Sequence, residues 1–403
     1  MSLWEAIPRG ADLLRGPDPV TRFTELQVVE RYPGPATWVI TGPPEVMGVW
    51  EPGMGCILDR SRDGDRTQVA SGQVRRIQRT RRLDATTGRL RRELTVSFVE
   101  DTHAFWRRRC YPDPAQALTS TPTTFAVSHD SRTGPREDLI LGFIGANLGP
   151  AAPQVARRLS GLVLPVSAGR GGSTTVTARM DALGDIVAAL SEDAGLHVRI
   201  QHDEPTPATP RLLVTIDDVP DVSENVVFGE VGTARATAHV TELDYSIEAP
   251  ELTQAVIFSA GELEARDATI FGDSAAEELW GDRHEVLVDQ RQTDDVDEIT
   301  DAGQRALADG ASPVQVTFSV TDSRAVQYGR DYAVGWRVGV ELPGIPEPLS
   351  DNVVREVATT VRPGEPDHIE VAVGTPGASV RDTRQTRQLA AALRRVAQIE
   401  RGL

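Results

Sequence analysis

The sequence predicts an α+β fold that is mainly β: a first β domain, a smaller α/β region, a second β domain and a C-terminal helix. Three observations carry that reading. Short runs of alternating apolar and polar residues, bounded by Gly, Pro and Asp, recur from Phe23 to Phe98 and again from Leu212 to Val373. Between them apolar residues recur at helical spacing. The length of 403 residues leaves room for more than one core, at roughly 100 to 200 residues per domain.

The elements follow in order. Residues 24–30, 36–41 and 54–60 read as strands, the last ending before an Asp63-Gly64 turn. The clearest strand is 90–98, with Leu90, Leu94, Val96 and Phe98 on one face and Arg91, Glu93, Thr95 and Ser97 on the other, entered through a turn at Ala85-Thr86-Thr87-Gly88. Such alternation buries one side of an antiparallel sheet, from which a closed barrel or a sandwich follows. Pro135 to Asp138 starts a helix whose apolar face is Leu139, Ile140, Phe143 and Ile144, and Gly149-Pro150 stops it. A second helix has Asp181 as its N-cap, Leu183, Ile186, Val187 and Leu190 as its stripe and Gly195 as its C-terminal punctuation, and it leads into a strand over 196–201.

After a Pro-rich connector at 203–210, strands are expected at 212–216, 233–245, 254–259, 285–290 and 314–321. A helix over 294–308, capped by Thr293 and acidic in its first turn, has Val296, Ile299, Ala306 and Leu307 as its seam. Strands resume at 333–341, 353–361 and 368–373, the last two joined by a hairpin loop at 362–367. The chain is expected to end in a helix, roughly 380–401, where Leu389, Leu393, Val396, Glu400 and Leu403 follow steps of four and three; it is too short for an autonomous coiled coil and is expected to dock on the body or on a partner. The resulting domains are residues 1–111, 112–202, 203–376 and 377–403.

Composition bounds the function. With 39% hydrophobic residues, mean hydropathy of −0.27 and no apolar run long enough for a bilayer, the chain is expected to be soluble. Residues 1–15 lack the basic and apolar blocks of a secretory signal, and Cys56 and Cys110 make no disulfide framework, so synthesis in the cytosol is expected. Acids outnumber basic residues 59 to 42, and every basic residue is arginine, a bias that a GC-rich genome explains without chemistry. The charge is unevenly spread. Arg60 to Cys110 holds fourteen arginines against six acids, whereas Asp181 to Gly310 holds seven against thirty. The basic stretch admits a nucleic-acid reading, but it lacks interleaved aromatics and pairs as readily with an acidic neighbouring subunit, which is favoured. The acidic stretch repels nucleic acid.

Motifs for catalysis are missing. A chain without lysine cannot build a P-loop, and Ala168-Gly169-Arg170-Gly171-Gly172-Ser173 has the wrong spacing for a dinucleotide cradle and reads as a flexible turn. The seven histidines make no H-E-x-x-H, and no cysteine pair has zinc spacing. Asp59 to Arg66 resembles a calcium loop only superficially, because Arg60 and Arg62 stand among its acids. No nucleophile elbow occurs. No catalytic, cofactor-binding or metal-ligating residue is singled out, and a structural or interaction protein is expected rather than an enzyme. Paired carboxylates are so numerous that a carboxylate-based hydrolase of cell-wall polymers stands as the alternative. A carbohydrate-binding module is disfavoured by an aromatic content of 5%.

One set of segments, taken in order, carries a resemblance. These are Glu93 to Arg109 with its Phe105-Trp106 pair, Ile144 to Pro150, Val226 to Glu230, Thr253 to Glu262, Tyr328 to Glu341, and Val354 to Val357 with the hairpin after it. Together they resemble the minor tail proteins of actinobacterial siphophages over about residues 24–374; Trp336 departs from the pattern, standing where an acid is expected. That family is similar to the baseplate or tail-tip hub of tailed phages. The resemblance implies two tube-type β-barrel domains with α/β elements, and a trimer whose six barrels continue the tail tube. It implies distal tail, tube and tip or fibre proteins as partners, no stable membrane insertion, and residence in the virion tail tip after assembly in the host cytoplasm. Because the chain stops at Leu403, a peptidoglycan-cleaving extension is expected to be absent. The acid excess then suits a channel that passes DNA without binding it, acids within 181–310 contributing to the wall while the 60–109 arginines meet other tail proteins.

Overall fold

The computed structural model describes residues 3–83, 90–121, 124–247, 249–261, 266–289, 296–310, 314–323, 325–342 and 352–374. Its strands in chain order are β1 Leu3–Arg9, β2 Glu25–Arg31, β3 Thr37–Gly42, β4 Gly55–Arg62, β5 Asp65–Leu83, β6 Leu90–Glu100, β7 Asp130–Pro135, β8 Leu162–Val163, β9 Ser173–Ala178, β10 Leu196–Asp203, β11 Arg211–Asp218, β12 Val227–Gly229, β13 Ala238–Ile247, β14 Gln254–Phe258, β15 Ala268–Gly272, β16 Glu285–Asp289, β17 Val314–Val320, β18 Gly339–Glu341, β19 Val354–Val361 and β20 His368–Gly374. The helices are α1 Pro44–Met47, α2 Arg136–Asn147, α3 Leu183–Ala194, α4 Ser274–Trp280 and α5 Val296–Asp309. Two compact units result, one of Met1–Glu242, Phe318–Gly344 and Asn352–Ala372, the other centred on Leu243–Thr317.

The first unit is built on a sheet ordered β1-β4-β5-β6-β3-β2-β19-β20-β17-β13-β12-β18. From β1 to β2 its pairs are antiparallel, and period-two alternation sends Trp4, Leu26, Trp38, Ile40, Leu58, Leu94, Val96 and Phe98 into one core. Trp38 stacks on Phe98 at 5.3 Å, and Trp50 meets the same ring edge-on at 5.3 Å. Gly72 is required where β5 passes this pair, since a Cβ there would lie 2.1 Å from the Val99 carbonyl oxygen. The strand that extends the N-terminal set comes from far along the chain: β19 pairs antiparallel with β2, Thr359 opposite Val28. Farther along the order, Phe228 packs against Phe318 and Tyr332 at 4.7 and 5.1 Å. Among the described residues the strand order has two ends, and no pairing closes a barrel.

The α/β part of this unit has α2 and α3 packed on short sheets, β10 antiparallel to β11 with β8 parallel to β11, and β7 antiparallel to β9. Leu139, Ile140, Phe143 and Ile144 of α2 and Leu183, Val187 and Leu190 of α3 are buried together with Leu196, Val198 and Ile200 of β10. Gly195 ends α3 in the left-handed conformation at φ 62°, the punctuation the sequence predicts. Asp181 does not cap α3. Ala182 holds the N-cap place one residue after it, and the Asp181 carboxylate accepts from the Arg179 backbone N–H at 2.7 Å in a local turn.

In the second unit β14 lies between β15, antiparallel, and β16, parallel. The parallel return requires a crossover, which β15 and α4 supply; Asp273 caps α4 by accepting from the Ala275 and Ala276 amides, and Gly281 ends it at φ 67°. Helix α5 covers one sheet face, with Ile299 packing on Ala255 and Ile257 beside Phe271, Val288, Ala306 and Leu307. Val296, expected in this seam, is 73% exposed, because it is the first helical residue and lies a turn short of the packed stripe.

Two other expectations change. The strand expected over 333–341 shrinks to β18, since Gly335 sits at φ 88° and Trp336 donates its backbone N–H to Ala333 in a turn. The strand expected from residue 233 begins only at Ala238, after a turn in which Ala236 N–H bonds to Thr233. The 85–88 turn, the Thr293 cap and the 380–401 helix lie outside the described residues. No helix among the described residues is long and apolar enough to cross a membrane.

Candidate interaction surface

The arginine-rich stretch folds as a long hairpin. β5 runs for 19 residues against the 11 of β6, and the pair is in register from Arg76 opposite Ser97 to Leu83 opposite Leu90. Ile77 and Val96 oppose each other at the core, where Ile77 packs. Two positions farther out the same face carries Arg79 opposite Leu94, then Arg81 opposite Arg92, then Leu83 opposite Leu90, and Arg79, Arg81 and Arg92 are exposed. Leu90 was expected in the core with Leu94; it is 49% exposed and Leu83 is 69% exposed, because the hairpin outruns the core that Leu94 still reaches.

At the inner end of the hairpin a register shift between Val74 and Arg76 inserts Arg75 as an extra residue. Arg75 lines a cleft of about 230 Å³ with Gln73, Val99, Glu100, Asp101, His103, Ala104, Arg107, Arg108, Leu148 and Leu159. Burial lowers the proton affinity of Arg75, and the neighbouring Arg107 cation lowers it further. Burial holds His103 below the usual histidine range, with Arg75 and Arg107 adding to the effect.

Two carboxylates border the same cleft, and both are engaged in the fold. Asp101 accepts from Arg9 Nη2 at 2.6 and 2.7 Å and from Ser71 Oγ at 2.7 Å, with both ion-pair side chains 2% exposed. Glu100 Oε2 accepts the Ala36 amide at 2.8 Å; burial raises its pKa to about 7, against the pull of Arg199 and of that hydrogen bond. A further buried set joins Glu30 to Tyr328, whose carbonyl accepts from Arg60 Nη2 at 2.9 Å. Asp59, at the start of the segment that resembles a calcium loop, is held by Arg66 at 2.7 Å, and Asp63 and Gly64 make the hairpin turn at φ 53° and 95°.

The glycine-rich loop is a structural clamp. Arg170 lies between Gly169 and Gly171, at φ 71° and 86°, and donates to Glu137 from its backbone at 3.0 Å and from its guanidinium at 2.9 and 3.0 Å. These bonds hold the Glu137 pKa down to about 2. Burial pushes the Cys56 and Cys110 thiols up to about 12. Among the described residues no group of three or more His, Cys, Asp or Glu side chains gathers as a metal site. Neither the bulge that turns Arg75 to the cleft nor the Arg9–Asp101 pair has a signal in the sequence, since both depend on strand partners.

No sequence among the curated proteins matches the chain. Among solved structures, the tail protein from Neisseria meningitidis MC58 superposes with a TM-score of 0.52 at 13% identity, covering 92% of this chain and 96% of its own. The 43 kDa tail protein of prophage MuSo2 from Shewanella oneidensis gives 0.51 at 12% identity, covering 92% and 98%. The fold is therefore one seen in phage tail proteins. Residues 13–375 match the family model described as Siphovirus ReqiPepy6 Gp37-like protein, and the chain belongs to that siphovirus family.

Proposed function

We propose that this chain is the structural tail-tip, or baseplate, hub of a siphophage, forming a ring of three copies that continues the tail tube and links it to distal tip proteins. The observation that carries the reading is the family match over 13–375, joined to a fold shared with phage tail proteins along 92% of the chain. In this reading the β domains at 1–111 and 203–376 are the tube-type barrels, completed in the ring. The protein resides in the virion tail tip after synthesis in the host cytoplasm, and works as a scaffold rather than as an enzyme. The use of Asp101 and Glu100 as internal partners supports that side of the reading.

The charge supports a passage for DNA that does not hold it. A formal charge of −17 per copy disfavours the phosphate contacts whose counterion release generates affinity. Titrating the purified protein into labelled duplex DNA at about 0.15 M salt tests this, with no binding at micromolar protein expected. Saturable binding in the nanomolar range contradicts it.

A further inference from the structure

We propose that the outer half of the β5–β6 hairpin is a docking element for the acidic surface of a second copy of this chain. The inference rests on the reading of the protein as a homo-oligomeric tail component and names the surface that joins copies.

The hairpin's own register motivates it. Arg81 stands directly opposite Arg92 in an antiparallel ladder, where like charges side by side are destabilising. Among the described residues, no carboxylate partners Arg79, Arg81 or Arg92, which share one face of the hairpin. Beyond them the cross-strand pair Leu83 and Leu90 is left in water. A surface that combines unneutralised cations with an exposed aliphatic pair fits an acidic protein face with apolar ground between its charges.

A second copy has that chemistry in abundance. Asp181 to Gly310 offers thirty acids against seven arginines. Duplex DNA would satisfy the arginines but has no use for Leu83 and Leu90, and the acid excess of the chain repels it.

Site-specific photo-cross-linking tests the contact. Leu83→Cys is labelled with benzophenone maleimide; Cys56 and Cys110 are fully buried and stay unlabelled. Labelled chains of ordinary nitrogen are mixed with unlabelled heavy-nitrogen chains, irradiated, and mapped by mass spectrometry, with duplex DNA present in a parallel sample. The expected result is cross-links to heavy peptides within 181–310, reduced about tenfold or more by R79E/R81E/R92E through charge repulsion. Cross-links confined to the same chain, cross-links indifferent to the charge reversal, or label transferred to DNA in preference to protein would overturn it. Light scattering separates the two failures: a trimer without the cross-link removes this contact and leaves the hub reading in place, whereas a monomer without it removes the contact and the self-assembly together.

Discussion

The Tyr328 hydroxyl donates to Glu30 Oε1 at 2.7 Å across 298 positions of sequence. Glu30 belongs to β2, which also pairs with β19, so a segment late in the chain supplies both a strand and a hydrogen-bond donor to a sheet begun by the N-terminus. Burial raises the Glu30 pKa and the Tyr328 hydroxyl works against that rise. Replacing Tyr328 by Phe leaves a buried carboxylate without this donor. A loss of about 2 kcal/mol is expected, larger near pH 8 than near pH 4.5, because the deficit falls on the ionised form. Urea unfolding at the two pH values checks both the size and the direction.

Asp101→Ala is expected to be more damaging. It strands the Arg9 guanidinium, which is buried and pairs with no other acid among the described residues, at a cost of about 3–5 kcal/mol. Ser71→Ala removes one donor to the same carboxylate and should cost about 1 kcal/mol. Thermal unfolding of the two variants beside the wild type gives the order.

Glu100 gives a signed pH dependence. Its folded pKa of about 7 lies above the ordinary value of 4.5, so its contribution is fully present below about pH 4.5 and is lost as pH rises through about 7. At about 1.4 kcal/mol per pKa unit, the span is about 3 kcal/mol. Glu100→Gln keeps an acceptor for the Ala36 amide and removes the titration. Its urea midpoints between about pH 4.5 and 8 should therefore fall less steeply than those of the wild type. Parallel curves would show that Glu100 ionises normally.

These residues show where sequence reading succeeds and where it stops. Leu94, Val96 and Phe98 were legible because alternation and burial coincide, and α2 and α3 because their apolar stripes are complete within one element. Leu90 obeys the same alternation and is exposed, since a pattern of two does not record where a hairpin leaves its core. The β2–β19 pairing was not legible, because local signals name a strand but not its partner. Asp181 has the right residue type for a cap, but the helix starts one residue later than the pattern suggests, and its carboxylate accepts from the Arg179 amide instead. The basic character of 60–110 was plain from counting, whereas the convergence of Arg75 and Arg107 on one cleft needed a bulge that no residue pattern announces.

The most direct measurement for the account as a whole is cryo-electron microscopy of the virion that carries this protein. The account predicts three copies per particle at the tail tip, ringed around an axis continuous with the tube lumen, with the β5–β6 hairpin of one copy against the next. Density for the chain in the capsid, along the tube shaft, or at the tip as isolated copies away from that axis would contradict it.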